Sequence, residues 1–298
     1  MVVKYNHMVN AALRPAPASG PLPPPAGTPD AALSGSPPPD FIPCYVINLD
    51  AAPERREAMA RQAQRLGVPF SFRKATDGRR IAPERRHIVA DDARALHEYG
   101  PLSAAEVGCA LSHVAIYLEM IEHGIPHAVI LEDDVHLASD FARLIDRNDP
   151  ASLPRQVSAQ SAAMVQLTHV RRVYRYGARP AAGGRRIMRP HSSVWLASAY
   201  FITLEAARRM AQALYPVWTV ADHWDMFQRR GLVKLHALVP NCAWESTHSA
   251  QSAISPQRQP RKRRRRPLAD RLAGWVDDLV TRPLLVRRTA PFRERDGA

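Results

Sequence analysis

Short apolar runs that end in polar residues alternate with helical stretches between residues 41 and 137, and that alternation leaves few folds open. CYVINLD (44–50) is apolar and β-branched before it turns polar, hence a buried strand. Pro53 opens PERREAMARQAQRLG, where proline suits a first helical turn and Gly67 supplies a stop. FSFRKA (70–75) is a second strand, running into the turn-like Thr76-Asp77-Gly78. Ser103-Ala104-Ala105-Glu106 is a capping box, because the hydroxyl and carboxylate can satisfy free amides of the first turn. Val107, Leu111, Val114, Leu118 and Ile121 then recur at helical spacing as far as Gly124 and Pro126. HAVILEDD (127–134) follows as a third strand. This order predicts an α/β fold with an open, mainly parallel sheet flanked by helices. Ligands gather at the carboxyl ends of such strands, which here carry Asn48-Leu49-Asp50, Thr76-Asp77 and Glu132-Asp133-Asp134.

Beyond residue 140 the alternation continues. AAMVQLTHV (162–170), VWLASAYFIT (194–203) and KLHALVP (234–240) are predicted strands, and EAARRMAQAL after 203 a helix. RRVYRYGARPAAGGRR (171–186) is predicted to be a mobile basic loop with a Gly-Gly break. Two flanking segments differ in kind. Ten prolines fall within the first forty residues and no periodic apolar face accompanies them, so 1–40 is predicted to be a disordered, polyproline-like leader. Residues 256–298 hold 13 basic and 5 acidic groups, +8 of the net +13, led by RKRRRR (261–266). Such a run suits anionic lipid head groups, nucleic acid or no specific partner, and it lacks the interleaved aromatics of a base-stacking surface. PLADRLAGWVDDLVTRPLLVRR within it can form a basic helix that lies on a membrane or one that packs back on the domain. No run of about 18 apolar residues exists, so no transmembrane helix is expected, and the start has no apolar core of signal-peptide length. Cys44, Cys109 and Cys242 match no zinc spacing and are read as reduced, buried thiols of a cytoplasmic protein.

Three features bear on chemistry. Glu132-Asp133-Asp134 ends a buried strand with no basic neighbour in sequence, an arrangement suited to a hard divalent cation. In an extended segment Glu132 and Asp134 share a face and Asp133 points away; the alternatives are a solvated loop, or Asp133 as the N-cap of a following helix. Gly108, one turn into the capped helix, signals close approach by a ligand or by another backbone, and His113 beyond it suits a site or a satisfied core. Asp222-His223-Trp224-Asp225 could provide a third metal ligand, a general base or a sugar-stacking platform, or be an ordinary interhelical turn.

Taken in order, VINLDAAPERRE (46–57), KATDG (74–78), LSAAEVGCALSHVAIY (102–117), ILEDDVHL (130–137), SAYFITLEAARRM (198–210), VADHWDMF (220–227) and LVPNCAWESTHSAQSAI (238–254) resemble glycosyltransferase family 25, the lipopolysaccharide-biosynthesis type related to collagen galactosyltransferases. The resemblance covers about 41–255 and implies a glycosyltransferase A-type, Rossmann-like domain that binds a nucleotide sugar at the strand ends. It implies Asp134, with Glu132, as ligands of Mn²⁺ or Mg²⁺. Asn48, Asp50, Thr76 and Asp77 are then expected to face the nucleoside, and Arg55 or Arg56 the phosphates. Gly108, Ser112, His113 and Asp133 complete the expected donor site. Asp222, with Asp225 second, is the expected base of an inverting transfer. The family's last block often has an acidic residue where this chain has Ala253. The function implied is transfer of a hexose, galactose or glucose, from a nucleotide-diphosphate sugar to lipopolysaccharide or its core. The acceptor would be lipid-linked or a surface glycan, and the anionic inner face of the cytoplasmic membrane would be a peripheral partner. The competing readings are a non-catalytic glycan-binding or regulatory module and a nucleic-acid-binding protein acting through the basic tail.

Overall fold

The computed structural model describes residues 40–245 and 282–294. The first unit is β1 (Cys44–Asn48), α1 (Pro53–Leu66) and β2 (Ser71–Lys74), with Pro53 in the first helical turn and Gly67 in the left-handed conformation at its end. A 3₁₀ turn (Gly78–Arg80) and two short helices, α2 (Pro83–Val89) and α3 (Asp92–Glu98), lead to α4 (Ala104–Glu122). The capping box of α4 is complete in both directions. Next come β3 (His127–Glu132), β4 (Val135–Leu137), α5 (Phe141–Ile145), α6 (Leu153–Gln156) and β5 (Ala163–Gln166). β6 (Arg172–Tyr174), β7 (Arg179–Ala181), β8 (Arg185–Met188) and β9 (Ala199–Thr203) precede α7 (Leu204–Leu214). The rest is α8 (Trp224–Arg229), β10 (Lys234–Val239), β11 (Ala243–Glu245), α9 (Arg282–Leu285) and β12 (Val286–Arg288).

Eight strands form one sheet in the order β2-β1-β3-β9-β5-β10-β8-β7. The pairs β2–β1, β1–β3 and β5–β10 are parallel, while β9 and β8 run against their neighbours, so the other six of the eight strands share one direction and the sheet is mainly parallel in that sense, as expected. Strand periodicity sorts the core into two layers. Ala128, Ile130, Tyr200 and Ile202 face α4 and α7, whereas Val129, Leu131, Ala199 and Phe201 face Met59, Phe141 and Leu144 on the other side. α4 is long and apolar enough to cross a membrane by composition alone, yet 67% of its apolar window is buried inside the protein. It is the central core helix. The three cysteines are unpaired, with Cys44 and Cys242 buried and Cys109 partly so.

Three local expectations are corrected. The stretch 171–186 is not one open loop: it supplies β6 and β7 and the first residues of β8, because Val173, Ala181 and Arg185 find buried places. The apolar run 194–203 becomes strand only from Ala199, since Trp195 and Leu196 are surface residues. After Glu132 the chain neither stays extended nor starts a helix; Asp133 and Asp134 form a turn into β4, which pairs with β11. The end of the chain returns to the body: β12 pairs antiparallel with β6, and the Phe292 amide donates to Asn241 Oδ1 at 2.8 Å. The leader to residue 39, RKRRRR and Ser252-Ala253-Ile254 lie outside the described residues.

Candidate active site

The parallel register brings Ile47 beside Glu132 and Asn48 beside Lys74, so the ends of β1, β2 and β3 form one rim. Asn48 is buried there, and its Nδ2 donates to Asp133 Oδ2 at 2.6 Å and to the Ala52 carbonyl at 3.1 Å. Arg55, in the first turn of α1, donates from Nη1 to Asp133 Oδ1 at 3.1 Å and lies 3.7 Å from Asp134 Oδ2. The three carboxylates that lack a basic neighbour in sequence therefore have one in space.

Asp134 is the least satisfied of them. Its side chain is 14% exposed and its buried Oδ1 has no hydrogen-bond partner. Burial, then the charge of Glu132, push its carboxyl up to about 7; Arg55 opposes the rise, while Asp133 and Glu245 add to it. Glu245 enters from β11, opposite Val135, and is itself raised by burial and by Glu132. An unpartnered buried carboxylate oxygen among three further carboxylates is a donor set that fits a hard divalent cation.

Glu132 also faces α4. Cys109 and His113, one helical turn apart, direct Sγ to 3.9 Å and Nε2 to 3.5 Å from Glu132 Oε1, and the three ligand-type atoms lie within 4.8 Å of one another. Burial, with Glu132, raises the Cys109 thiol well above its usual range, which keeps it neutral. His113 is fully buried; its Nδ1 lies 2.8 Å from the Tyr200 hydroxyl, which is 2.7 Å from that of Tyr117. Its Nε2 has no hydrogen-bond partner.

Other expected donor contacts are engaged in building the rim. A Cβ on Gly108 would lie 2.4 Å from the Thr76 carbonyl oxygen and 2.5 Å from the Gly78 amide, so the close approach signalled by Gly108 is to another backbone. Ser112 Oγ accepts from the Thr76 amide at 2.8 Å and donates to the Gly108 carbonyl at 2.8 Å, completing that junction. Asp77 caps the 3₁₀ turn and is held below its ordinary range by its hydrogen bond with Arg79. Asp50 pairs with Lys74 on the surface, and Arg56 stacks over Phe72 at 4.3 Å.

Asp222 and Asp225 reach the loop ahead of β9. Leu196 donates its amide to Asp222 Oδ2 at 3.4 Å, and Val194 donates to Asp225 Oδ1 at 3.1 Å. The charge of Asp222 adds to the rise of the Cys109 thiol, after burial and Glu132. Trp224 is buried and donates to the Leu196 carbonyl at 3.1 Å, so its indole supports the loop and does not stack on a sugar. Sequence reasoning missed Glu245, Tyr117 and Tyr200; the acidic end of CAWE was the one available signal, and the two tyrosines read as core.

A family model described as glycosyltransferase family 25 (LPS biosynthesis protein) matches residues 41–224. The chain is 27% identical over 188 residues to the lacto-N-neotetraose biosynthesis glycosyltransferase LgtE of Neisseria meningitidis, covering 61% of this chain and 65% of that protein. It is 26% identical over 229 residues to LgtB of the same organism, covering 70% and 79%. A Mus musculus protein named inactive glycosyltransferase 25 family member 3 is 31% identical over 114 residues, covering 36% of this chain but 19% of its own length. The chain thus spans under two thirds of LgtE and a small part of the animal relatives.

Proposed function

The chain belongs to glycosyltransferase family 25, and from that premise we propose that it transfers a hexose, galactose or glucose, from a nucleotide-diphosphate sugar to a bacterial surface glycan such as lipopolysaccharide or its core. The observation that carries the reading is Asp134, a buried carboxylate with a partnerless oxygen at the carboxyl end of the sheet, where an α/β domain binds its ligand. The family's description as an LPS biosynthesis protein, and the names of LgtE and LgtB as lacto-N-neotetraose biosynthesis glycosyltransferases, support a glycan acceptor.

Asp134 and Glu132 would hold Mn²⁺ or Mg²⁺, which supplies positive charge to the leaving diphosphate when bound. Asp133, fixed by Asn48 and Arg55, presents an oriented carboxylate to the donor. We assign the base to Asp222 and a positioning role to Asp225, whose carboxylate is engaged in holding the Val194 amide. In an inverting transfer the acceptor hydroxyl attacks the anomeric carbon and gives its proton to Asp222. The bond from that carbon to the diphosphate oxygen breaks, and its electron pair leaves with the diphosphate. We place the enzyme at the cytoplasmic face of the membrane, where the +8 carried by residues 256–298 favours an anionic, lipid-linked acceptor.

Transfer from labelled uridine-diphosphate galactose and glucose to a lipopolysaccharide-core acceptor tests this. Asp222→Asn is expected to lower kcat about a hundredfold or more while donor binding persists. Donor binding without transfer in the parent protein would instead support a regulatory module.

A further inference from the structure

Leu196 adopts φ 74°, the one non-glycine residue at positive φ among the described residues. A leucine in left-handed backbone is strained, and such strain persists only where the surroundings fix it. Here they do. The Leu196 amide is held by Asp222, and its carbonyl accepts from Trp224 Nε1 at 3.1 Å and from Gln166 Nε2 at 3.1 Å. Val194 is held by Asp225. Two residues beyond Leu196, Ser198 accepts the Glu132 amide at 2.8 Å, so the clamped loop lies on the carboxylate rim.

The clamp presents Trp195. The residue is 46% exposed, and its indole lies nearly parallel to the His223 imidazole, at 13° with 5.9 Å between centroids. His223 is itself braced: Thr219 Oγ1 sits 3.0 Å from Nδ1, with Tyr99 and Phe227 against the ring. A half-exposed indole backed by a fixed ring, beside a carboxylate held by the next residue, combines a flat apolar surface with a proton acceptor. A pyranose has the matching chemistry, C–H groups on a ring face and hydroxyls at the edge.

We propose that Trp195 is the stacking platform for the acceptor's pyranose ring, positioned relative to Asp222 by the Leu196 clamp and His223. The assignment rests on the glycosyl-transfer reading above and adds the acceptor subsite to it. It also accounts for the strain: one backbone conformation sets both the indole and the Asp222 contact, so the ring and the base keep a fixed relation.

In the full chain, Trp195→Ala is expected to raise the acceptor KM about tenfold or more, the loss of about 1.4 kcal/mol of stacking, while the donor KM and donor hydrolysis without acceptor stay unchanged. Trp195→Tyr should recover most of the loss. An unmoved acceptor KM, or a donor KM that rises in parallel, overturns the platform. Donor binding, read as a thermal shift with uridine-diphosphate sugars and Mn²⁺, separates the two levels. If no donor binds, the transfer reading falls and the platform with it; if donor binds and is transferred but Trp195→Ala is silent, the platform alone falls. A second readout, taken on the parent protein, is fluorine NMR with fluorinated tryptophan. One of its five indole resonances, assigned by Trp195→Phe, should shift on titration with methyl β-galactoside or methyl β-glucoside. Its indifference to both, with donor binding intact, overturns the proposal.

Discussion

Replacing Asp134 by Asn should stabilise the cation-free protein at neutral and alkaline pH while removing its response to cation. The Asp134 carboxyl is raised from 3.8 to about 7 by burial and by Glu132, so the native state holds this proton more tightly than the unfolded chain. A raised carboxyl contributes stability fully below the unfolded value, and that stability is lost as pH rises through about 7. The rise from 3.8 to about 7 corresponds to roughly 4 kcal/mol at its upper limit. Reorganisation of Arg55 and the neighbouring carboxylates reduces the figure, and about 2–3 kcal/mol is expected above pH 8. Asparagine keeps the shape and removes the charge. In chelator at pH 8, urea unfolding should show Asp134→Asn more stable than the parent by that amount, and the difference should shrink as pH falls below about 7 and vanish below about pH 4, where the carboxyl is protonated in both states. Adding Mn²⁺ at about a hundredfold over its dissociation constant should then stabilise the parent by about 2.7 kcal/mol and leave the variant unmoved. The reasoning is refuted if Asp134→Asn is the less stable protein at pH 8 in chelator, or if Mn²⁺ stabilises both equally.

Three further outcomes follow from other parts of the molecule. Gly108→Ala drives a methyl against the backbone of Thr76 and Gly78, and should cost about 1–3 kcal/mol or more in thermal unfolding while disturbing the end of β2. His236 on β10 is lowered to about 4, by burial and then by Arg179, Lys234 and Arg189. It stays neutral in the native state, so stability falls as pH drops from about 6.5 towards 4, by at most about 3 kcal/mol; His236→Gln should flatten that limb of a Tm-against-pH curve. A chain ending at residue 281 loses β12 and the Asn241–Phe292 contacts, and hydrogen exchange should accelerate in β6 while β1 and β3 keep their protection.

The fold was legible where local signals agree with each other. Pro53 with Gly67, the Ser103–Glu106 box and the apolar period of 107–121 each fix a helix without reference to the rest of the chain. β1 and β3 were equally plain, because strands buried on both faces are continuously apolar. The segment 171–186 was not. Its polar, glycine-broken composition carries no period, and its strands exist because β10 and the returning β12 supply the hydrogen-bond partners, at separations no local pattern encodes.

The site divides along the same line. Glu132, Asp133 and Asp134 announce themselves as adjacent charges, yet adjacency says little about their geometry: the turn at 133–134 replaces the extended backbone that would have put Glu132 and Asp134 on one face, and each carboxylate meets a different set of partners. What decides their roles comes from elsewhere in the chain. Arg55 neutralises Asp133 and Asn48 helps orient it, His113 and Cys109 face Glu132, and Glu245 arrives beside Asp134 through β11. Asp134 is thus left as the carboxylate whose buried oxygen no protein group satisfies, and that distinction follows from three-dimensional subtraction rather than from any motif. The same logic separates the two indoles near Asp222. Trp224 lies inside the conspicuous Asp222–Asp225 cluster and is consumed as support, whereas Trp195, in a stretch that reads as plain strand, is held out to solvent by a backbone strain that sequence patterns do not reveal. A surface that binds must be what the scaffold leaves unused, so its residues are identified only after the scaffold's own hydrogen bonds and packing have been assigned.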